Sequence, residues 1–185
     1  MTGVTRADDE LLLGEWACLG LLYAGNSHGF ALSVRLRPSG DVGRVWSLSR
    51  PLVYRSLEQL TARGFIRELG EEPGIAGGNR TVLAATRTGR HRVRTWLTQP
   101  VEHLRDLRSE LLLKLVIAQI CGVDPMPLVL AQRAQVVRIR DALAPVDGDA
   151  DLDVVRLWRH EASCAALRFL DEVSTARRDP IAVEA

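Results

Sequence analysis

Arg50, Tyr54 and Arg55 fall on one side of a helical pattern whose other side carries Val53, Leu57 and Leu60, with Gln59 near the edge. Arginine can bind the O6 and N7 atoms of guanine in a bidentate way, and tyrosine can touch a phosphate or the methyl group of thymine. The aliphatic underside would hold such a helix on a core while its cationic side faces outward. Ser47 and Ser49 precede it, where hydroxyls and free backbone N–H groups suit phosphate oxygens. Either serine can cap the helix, and Pro51 is tolerated in its first turn. A helix that reads the major groove of duplex DNA needs this polarity. A solvated surface helix can also show it.

Arg80 follows Gly77, Gly78 and Asn79 at the end of a glycine-rich stretch between two β-forming runs. An arginine at the tip of a flexible hairpin can follow a phosphate backbone or enter a narrow minor groove. Glu71 and Glu72 fall in the same expected loop and would repel phosphate. The strand-side arginine, rather than the whole loop, is therefore expected to approach DNA. Charge distribution agrees. Residues 35–98 carry twelve arginines against five acids, or +7, whereas the whole chain carries +1. A basic middle between acidic flanks is the footprint of a polyanion site.

Other candidate chemistry is sparser. Trp16, Trp96 and Trp158 could line an apolar pocket where a small aromatic effector would stack, although ordinary core packing also accounts for them. His160 and Cys164 stand four apart, a spacing that can supply two metal ligands. No third ligand is evident, so neither a metal nor another cofactor is expected. The chain has no phosphate-binding glycine loop, no convincing pair of catalytic carboxylates and no serine elbow, and residues 74–78 lack the spacing of a dinucleotide fingerprint. An enzyme is not expected. Cys18, Cys121 and Cys164 lie far apart in apolar contexts and read as buried hydrophobes rather than a disulfide framework.

The elements that would position these residues follow from periodicity. The 185-residue chain is 46 % hydrophobic, enough for a packed core. Leu12, Trp16, Leu19 and Tyr23 form one helical face, ended by Gly25, Asn26 and Ser27. A second short helix is expected from about residue 28 to 37, with Phe30 and Val34 one turn apart. Gly64 closes the third helix. Residues 65–69 read as a strand, 70–78 as a loop and 81–85 as the returning strand. Thr86 can cap a fourth helix running to about Leu97. The order helix, helix, helix, strand, wing, strand, helix specifies a winged helix-turn-helix with a two-stranded wing.

Gln99 and Pro100 mark an expected boundary. Residues 1–98 would be the DNA-binding domain, and residues 99–185 a helical region for dimerisation and effector response. The fold class is mostly α (α+β). Residues 101–120 become apolar nearly all round after Glu110, as in a helix packed between others. Pro125 and Pro127 open another helix, and residues 147–153 form an acidic turn. On the last helix Val155, Trp158, Ala162, Ala165 and Phe169 make a short heptad seam suited to a partner helix. With Leu111 and Leu115 they are the expected dimerisation residues; packing within one chain is the alternative. No apolar stretch is long enough to span a membrane, and the N-terminus lacks the pattern of a secretory signal, so a cytoplasmic protein is expected.

From Leu11 to Leu97 the chain resembles the PadR family of transcriptional regulators. His28-Gly29-Phe30 is similar to the family's His-Gly-aromatic motif. The stretch Val53-Tyr54-Arg55-Ser56-Leu57-Glu58-Gln59-Leu60 is similar to its Leu-Tyr-Pro-x-Leu-x-x-Leu pattern, followed by Gly64-Phe65-Ile66. Ala85-Thr86-Arg87-Thr88-Gly89 resembles its Leu-Thr-x-x-Gly, and Trp96-Leu97 with Pro100 resembles the end of its first domain. Residues 107–115 resemble the start of the longer C-terminal helical region of one branch. Arg55 replaces the family's proline, Val82-Leu83 its paired tyrosines and Pro51-Leu52 its Gly-Thr, departures that bear on which operator is read rather than on the fold. The resemblance implies a dimeric repressor whose DNA affinity falls when a small molecule binds. A protein-interaction module of the same fold and a metal-responsive regulator using His160 and Cys164 are the alternatives.

Overall fold

The computed structural model describes residues 10–73, 79–143 and 153–176. Its elements are α1 (Leu13–Ala24), β1 (Ser27–His28), α2 (Gly29–Arg35), α3 (Arg50–Ala62), β2 (Ile66–Pro73), β3 (Asn79–Ala85) and α4 (Arg87–Trp96). A 3₁₀ turn (Leu104–Asp106) and a π-helical turn (Leu107–Leu111) lead into α5 (Leu112–Ile120), α6 (Met126–Ala142) and α7 (Val154–Ala176). The architecture is a winged helix followed by helices, as the periodicity predicts.

Local chemistry sets the element ends. The buried Glu15 carboxylate accepts the Leu12 backbone N–H at 2.8 Å and so fastens the start of α1. Ser49 occupies the N-cap of α3, but its hydroxyl makes no capping bond. Gly64, at φ 70°, ends the turn after α3 in the left-handed region that glycine enters freely. The Thr86 hydroxyl accepts the Gly89 N–H at 3.1 Å and caps α4.

The sheet departs from expectation in two ways. It has three strands in the order β1-β3-β2, not two, because Ser27 pairs with Leu83 and His28 with Val82. Two residues cannot display a period, so β1 left no signal in the sequence. The wing strands are also longer than expected. Glu71 and Glu72 lie on β2, and Arg80 pairs with Glu72 inside β3 rather than sitting at a hairpin tip. Every β2 residue after Ile66 is exposed, so no alternation of apolar and polar residues marks its length. Gly77 and Gly78, the rest of residues 74–78, and residues 147–152 of the expected acidic turn lie outside the described residues.

Two apolar clusters hold the chain together. The first gathers α1, α2, α3, β2, β3 and α4, and includes Leu113, Ile117 and Ala118 of α5. The winged-helix core therefore runs across the expected break between residues 98 and 99. Cys18 sits in this core, where burial first and the nearby Glu15 charge second push its thiol up to about 12. The second cluster joins Val101 and Leu111 to Leu128, Val129 and Val136 of α6 and Leu167 and Leu170 of α7. Leu111, expected at a subunit contact, is thus buried inside its own chain, and Leu115 packs partly against the same cluster.

On α7 the face turned inward is Ser163, Leu167 and Leu170. The heptad seam points elsewhere: Trp158 is 67 % and Phe169 40 % exposed. Val155 and Ala165 are exposed as well, and Ala162 is half-buried. Among the described residues no helix is long and apolar enough to cross a membrane.

Gln132 joins the linker to α6. Fully buried, it accepts the Val101 N–H at 2.7 Å through Oε1 and donates to the Val101 carbonyl at 3.0 Å through Nε2. Gln132→Leu would strand both backbone groups away from water. It is expected to cost about 3 kcal/mol, read as a shift in the urea midpoint.

Candidate nucleic-acid interface

Val53, Leu57 and Leu60 anchor α3 to the core. Ser47, Ser49, Arg50, Tyr54, Arg55 and Gln59 are all exposed. The preceding loop sets the height of the helix. Leu48 N–H donates to the Leu36 carbonyl at 2.8 Å, and Arg35 Nε bonds Asp41 at 3.1 Å. That hydrogen bond, with the arginine's charge behind it, holds the Asp41 carboxyl below its ordinary range despite some desolvation.

The His-Gly-aromatic sequence turns out to be built into this face. His28 Nδ1 accepts the Ala31 N–H at 3.2 Å and caps α2. At Gly29 a Cβ would lie 2.9 Å from Tyr54 Cε1, so only glycine lets the tyrosine ring settle there. Phe30, one turn before Val34 on α2, is 48 % exposed. Its ring lies 5.4 Å from the Arg50 guanidinium, which is also 5.6 Å from the Tyr54 ring. Two aromatic faces against one guanidinium restrict its rotamers while leaving its N–H edges for a ligand. Phe30 and His28 belong to this face although spacing alone gave them no place on it. The available signal was a large aromatic two residues after a histidine cap, with a glycine between them, at the start of a short helix.

Arg50, Tyr54 and Arg80 line one groove of about 830 Å³ between α3 and the sheet, together with Glu58, Glu68 and Asn79. Arg80 Nη1 approaches His28 Nε2 at 3.3 Å. Ser47, Ser49, Arg55 and Gln59 are not part of the groove wall and extend the exposed face of α3 and its approach. Asn79 donates to Glu71 at 2.6 Å, so that acid is engaged within the hairpin.

A second groove, about 800 Å³, is walled by Trp16, Trp46 and Trp96 with His91, Arg92 and Glu110. The Trp16 and Trp96 rings stack at 4.7 Å with 5° between planes. Trp158 does not join them; it lies on the outward seam of α7. Behind the stack, Trp96 Nε1 donates to Glu110 at 2.9 Å and Lys114 Nζ bonds the same carboxylate at 2.8 Å. Lys114 also donates to the Gln99 carbonyl at 2.7 Å. It is the only lysine in the sequence and its side chain is 2 % exposed. Burial lowers its ammonium below the ordinary lysine range, and the Glu110 carboxylate opposes that fall. His160 lies 3.6 Å from Glu161, and no group of three or more His, Cys, Asp or Glu side chains among the described residues could hold a metal ion.

No protein-family profile and no curated protein sequence matches the chain. Solved structures do. Bacillus subtilis PadR in complex with operator DNA aligns at 18 % identity and a TM-score of 0.45, covering 86 % of this chain and 96 % of that one. Bacillus subtilis PadR aligns at 19 % identity and a TM-score of 0.40, over 91 % and 96 % of the two chains. The protein smu.1604c from Streptococcus mutans UA159 aligns at 14 % identity and a TM-score of 0.43, over 89 % and 99 %.

Proposed function

We propose that this protein is a DNA-binding transcriptional regulator of the PadR type that its motifs resemble, a homodimeric repressor acting on a near-palindromic operator. One observation carries the reading: Arg50 is held between Phe30 and Tyr54 on the exposed face of a rigidly anchored helix, beside a groove that also contains Arg80. In this reading Arg50 reaches base edges. Tyr54, Arg55 and Gln59 touch bases or backbone, and Ser47, Ser49 and Arg80 bind phosphates.

The outward seam of α7 supports pairing of two copies, since Val155, Trp158, Ala165 and Phe169 are exposed along it, with Ala162 half-buried between them. Two α3 helices would then enter successive major grooves about one helical turn apart. Residues 1–98 carry DNA binding in this division, and residues 99–185 pair the subunits. A small aromatic effector stacking in the Trp16–Trp96 groove would bear on the bond from Trp96 to Glu110. Through it the effector would shift α5 and the helices beyond, and with them the spacing of the two α3 helices.

The test is retardation of the DNA upstream of the protein's own gene. Wild type should shift it at nanomolar concentration. Arg50→Ala should weaken binding by about 10- to 100-fold at physiological salt, with thermal unfolding unchanged. Wild-type affinity in both Arg50→Ala and Arg55→Ala would remove α3 from the interface. A protein-interaction module of the same fold would leave the fragment unshifted.

A further inference from the structure

We infer that His28 is a further DNA-contacting residue, which donates together with Arg80 to a single backbone phosphate in the groove between α3 and the wing. The inference rests on the DNA-binding reading above and assigns that groove its ligand.

A neutral imidazole has one nitrogen that accepts and one that donates. His28 Nδ1 accepts the Ala31 N–H at 3.2 Å, and that donor is fixed by the backbone of α2. The proton therefore resides on Nε2. Nε2 faces Arg80 Nη1 at 3.3 Å, and a guanidinium has donors only. Two donors at that separation do not bond each other; an anionic oxygen accepting from both satisfies them together. Phosphate oxygens accept several charge-assisted bonds and prefer arginine as one partner.

The wall of the groove makes this contact local rather than a matter of overall field. Arg50 and Arg80 line it, but so do Glu58 and Glu68, and Glu72 stands opposite Arg80 in the strand register. Cations and carboxylates roughly cancel across the groove, so the converging donors decide where a phosphate sits. The register does the converging: pairing of His28 with Val82 through β1 brings the imidazole beside the strand that carries Arg80.

Amide side chains separate the two nitrogens. Asparagine reproduces the acceptor at the Nδ1 place and is a good helix cap, but it has nothing at Nε2. Glutamine extends an N–H toward the Nε2 place and loses the cap. The probe is a random-sequence duplex of about three helical turns at low salt, since phosphate contacts are independent of sequence.

Arg80→Gln should weaken binding about tenfold and reduce the slope of log affinity against log salt by about one. His28→Asn should weaken it by about three- to tenfold with an unchanged melting temperature. His28→Gln should lower the melting temperature yet bind more tightly than His28→Asn. The double variant His28→Asn with Arg80→Gln should bind no worse than Arg80→Gln alone, because one contact is lost either way. Wild-type affinity in His28→Asn, or strict additivity in the double variant, overturns the shared contact. If wild type itself fails to bind the duplex, the DNA-binding reading falls and the contact with it. Wild-type binding that neither single variant disturbs removes the contact only.

Discussion

Gly89→Ala is expected to lower stability by more than about 4 kcal/mol, enough to leave the winged helix largely unfolded. On helix propensity alone the change should help, since alanine is favoured over glycine inside a helix by about 1 kcal/mol. Packing reverses the sign. A Cβ at position 89 would lie 2.1 Å from the Phe65 carbonyl oxygen and 3.1 Å from Leu19 Cδ1. The first of these is backbone and cannot swing aside.

Nor can the helix retreat. Thr86 N–H donates to the same Phe65 carbonyl at 2.9 Å, and the Thr86 hydroxyl donates to the Gly64 carbonyl at 2.8 Å while accepting the Gly89 N–H. The first turn of α4 is thereby fixed against the turn that ends α3. The Thr-x-x-Gly spacing has a physical meaning here: threonine ties the helix down and glycine permits the distance. Thr86→Ala should cost about 1–2 kcal/mol, the ordinary loss of a cap. Thermal melting of the two variants checks the ranking; a Gly89→Ala protein as stable as wild type would show that α4 does not need this approach.

Lys114→Met is expected to cost about 3 kcal/mol, the low end for removing one partner of a buried ion pair, because the Glu110 carboxylate left behind is a third exposed and keeps part of its hydration. The substitution keeps the length and bulk of the side chain but leaves the Gln99 carbonyl without its bond and deprives Glu110 of its counter-charge. Glu110 would still hold Trp96 Nε1, now as an uncompensated carboxylate. Replacing both partners, Lys114→Met with Glu110→Met, should recover part of the loss, because the stranded charge is gone while Trp96 Nε1 and the Gln99 carbonyl stay without their bonds. Urea unfolding of the single and double variants measures the difference. A single variant as stable as wild type would mean that Lys114 does not tie α4 to α5.

The three bonded groups come from the end of α4, the linker and the π-helical turn that precedes α5. This ion pair is therefore a polar link between the winged helix and the helices after it, beside the apolar packing of Leu113, Ile117 and Ala118 into the winged-helix core. In the functional reading it is also where occupancy of the Trp16–Trp96 groove would be felt.

What the residues determined by themselves was whatever depends on near neighbours in the chain. The anchoring face of α3, the left-handed close at Gly64 and the Thr86 cap each involve positions within about two helical turns, so their spacing is their signal. The exposed face of α3 was legible for the same reason. Relations between distant segments were decided only by tertiary structure. Strand β1 exists because β3 lies beside it, not because Ser27 and His28 prefer to be extended. Arg80 left the expected hairpin tip because the wing strands pair further than their polar sequence announced. Trp16 and Trp96 stack while Trp158 stays outside, although all three are alike in composition and helical context. Lys114, which interrupts an apolar run, became a buried link only where Glu110 and the Gln99 carbonyl converged on it. Periodicity tells which face of an element is apolar. It does not tell which surface that face will meet, because that depends on the summed packing of every other element.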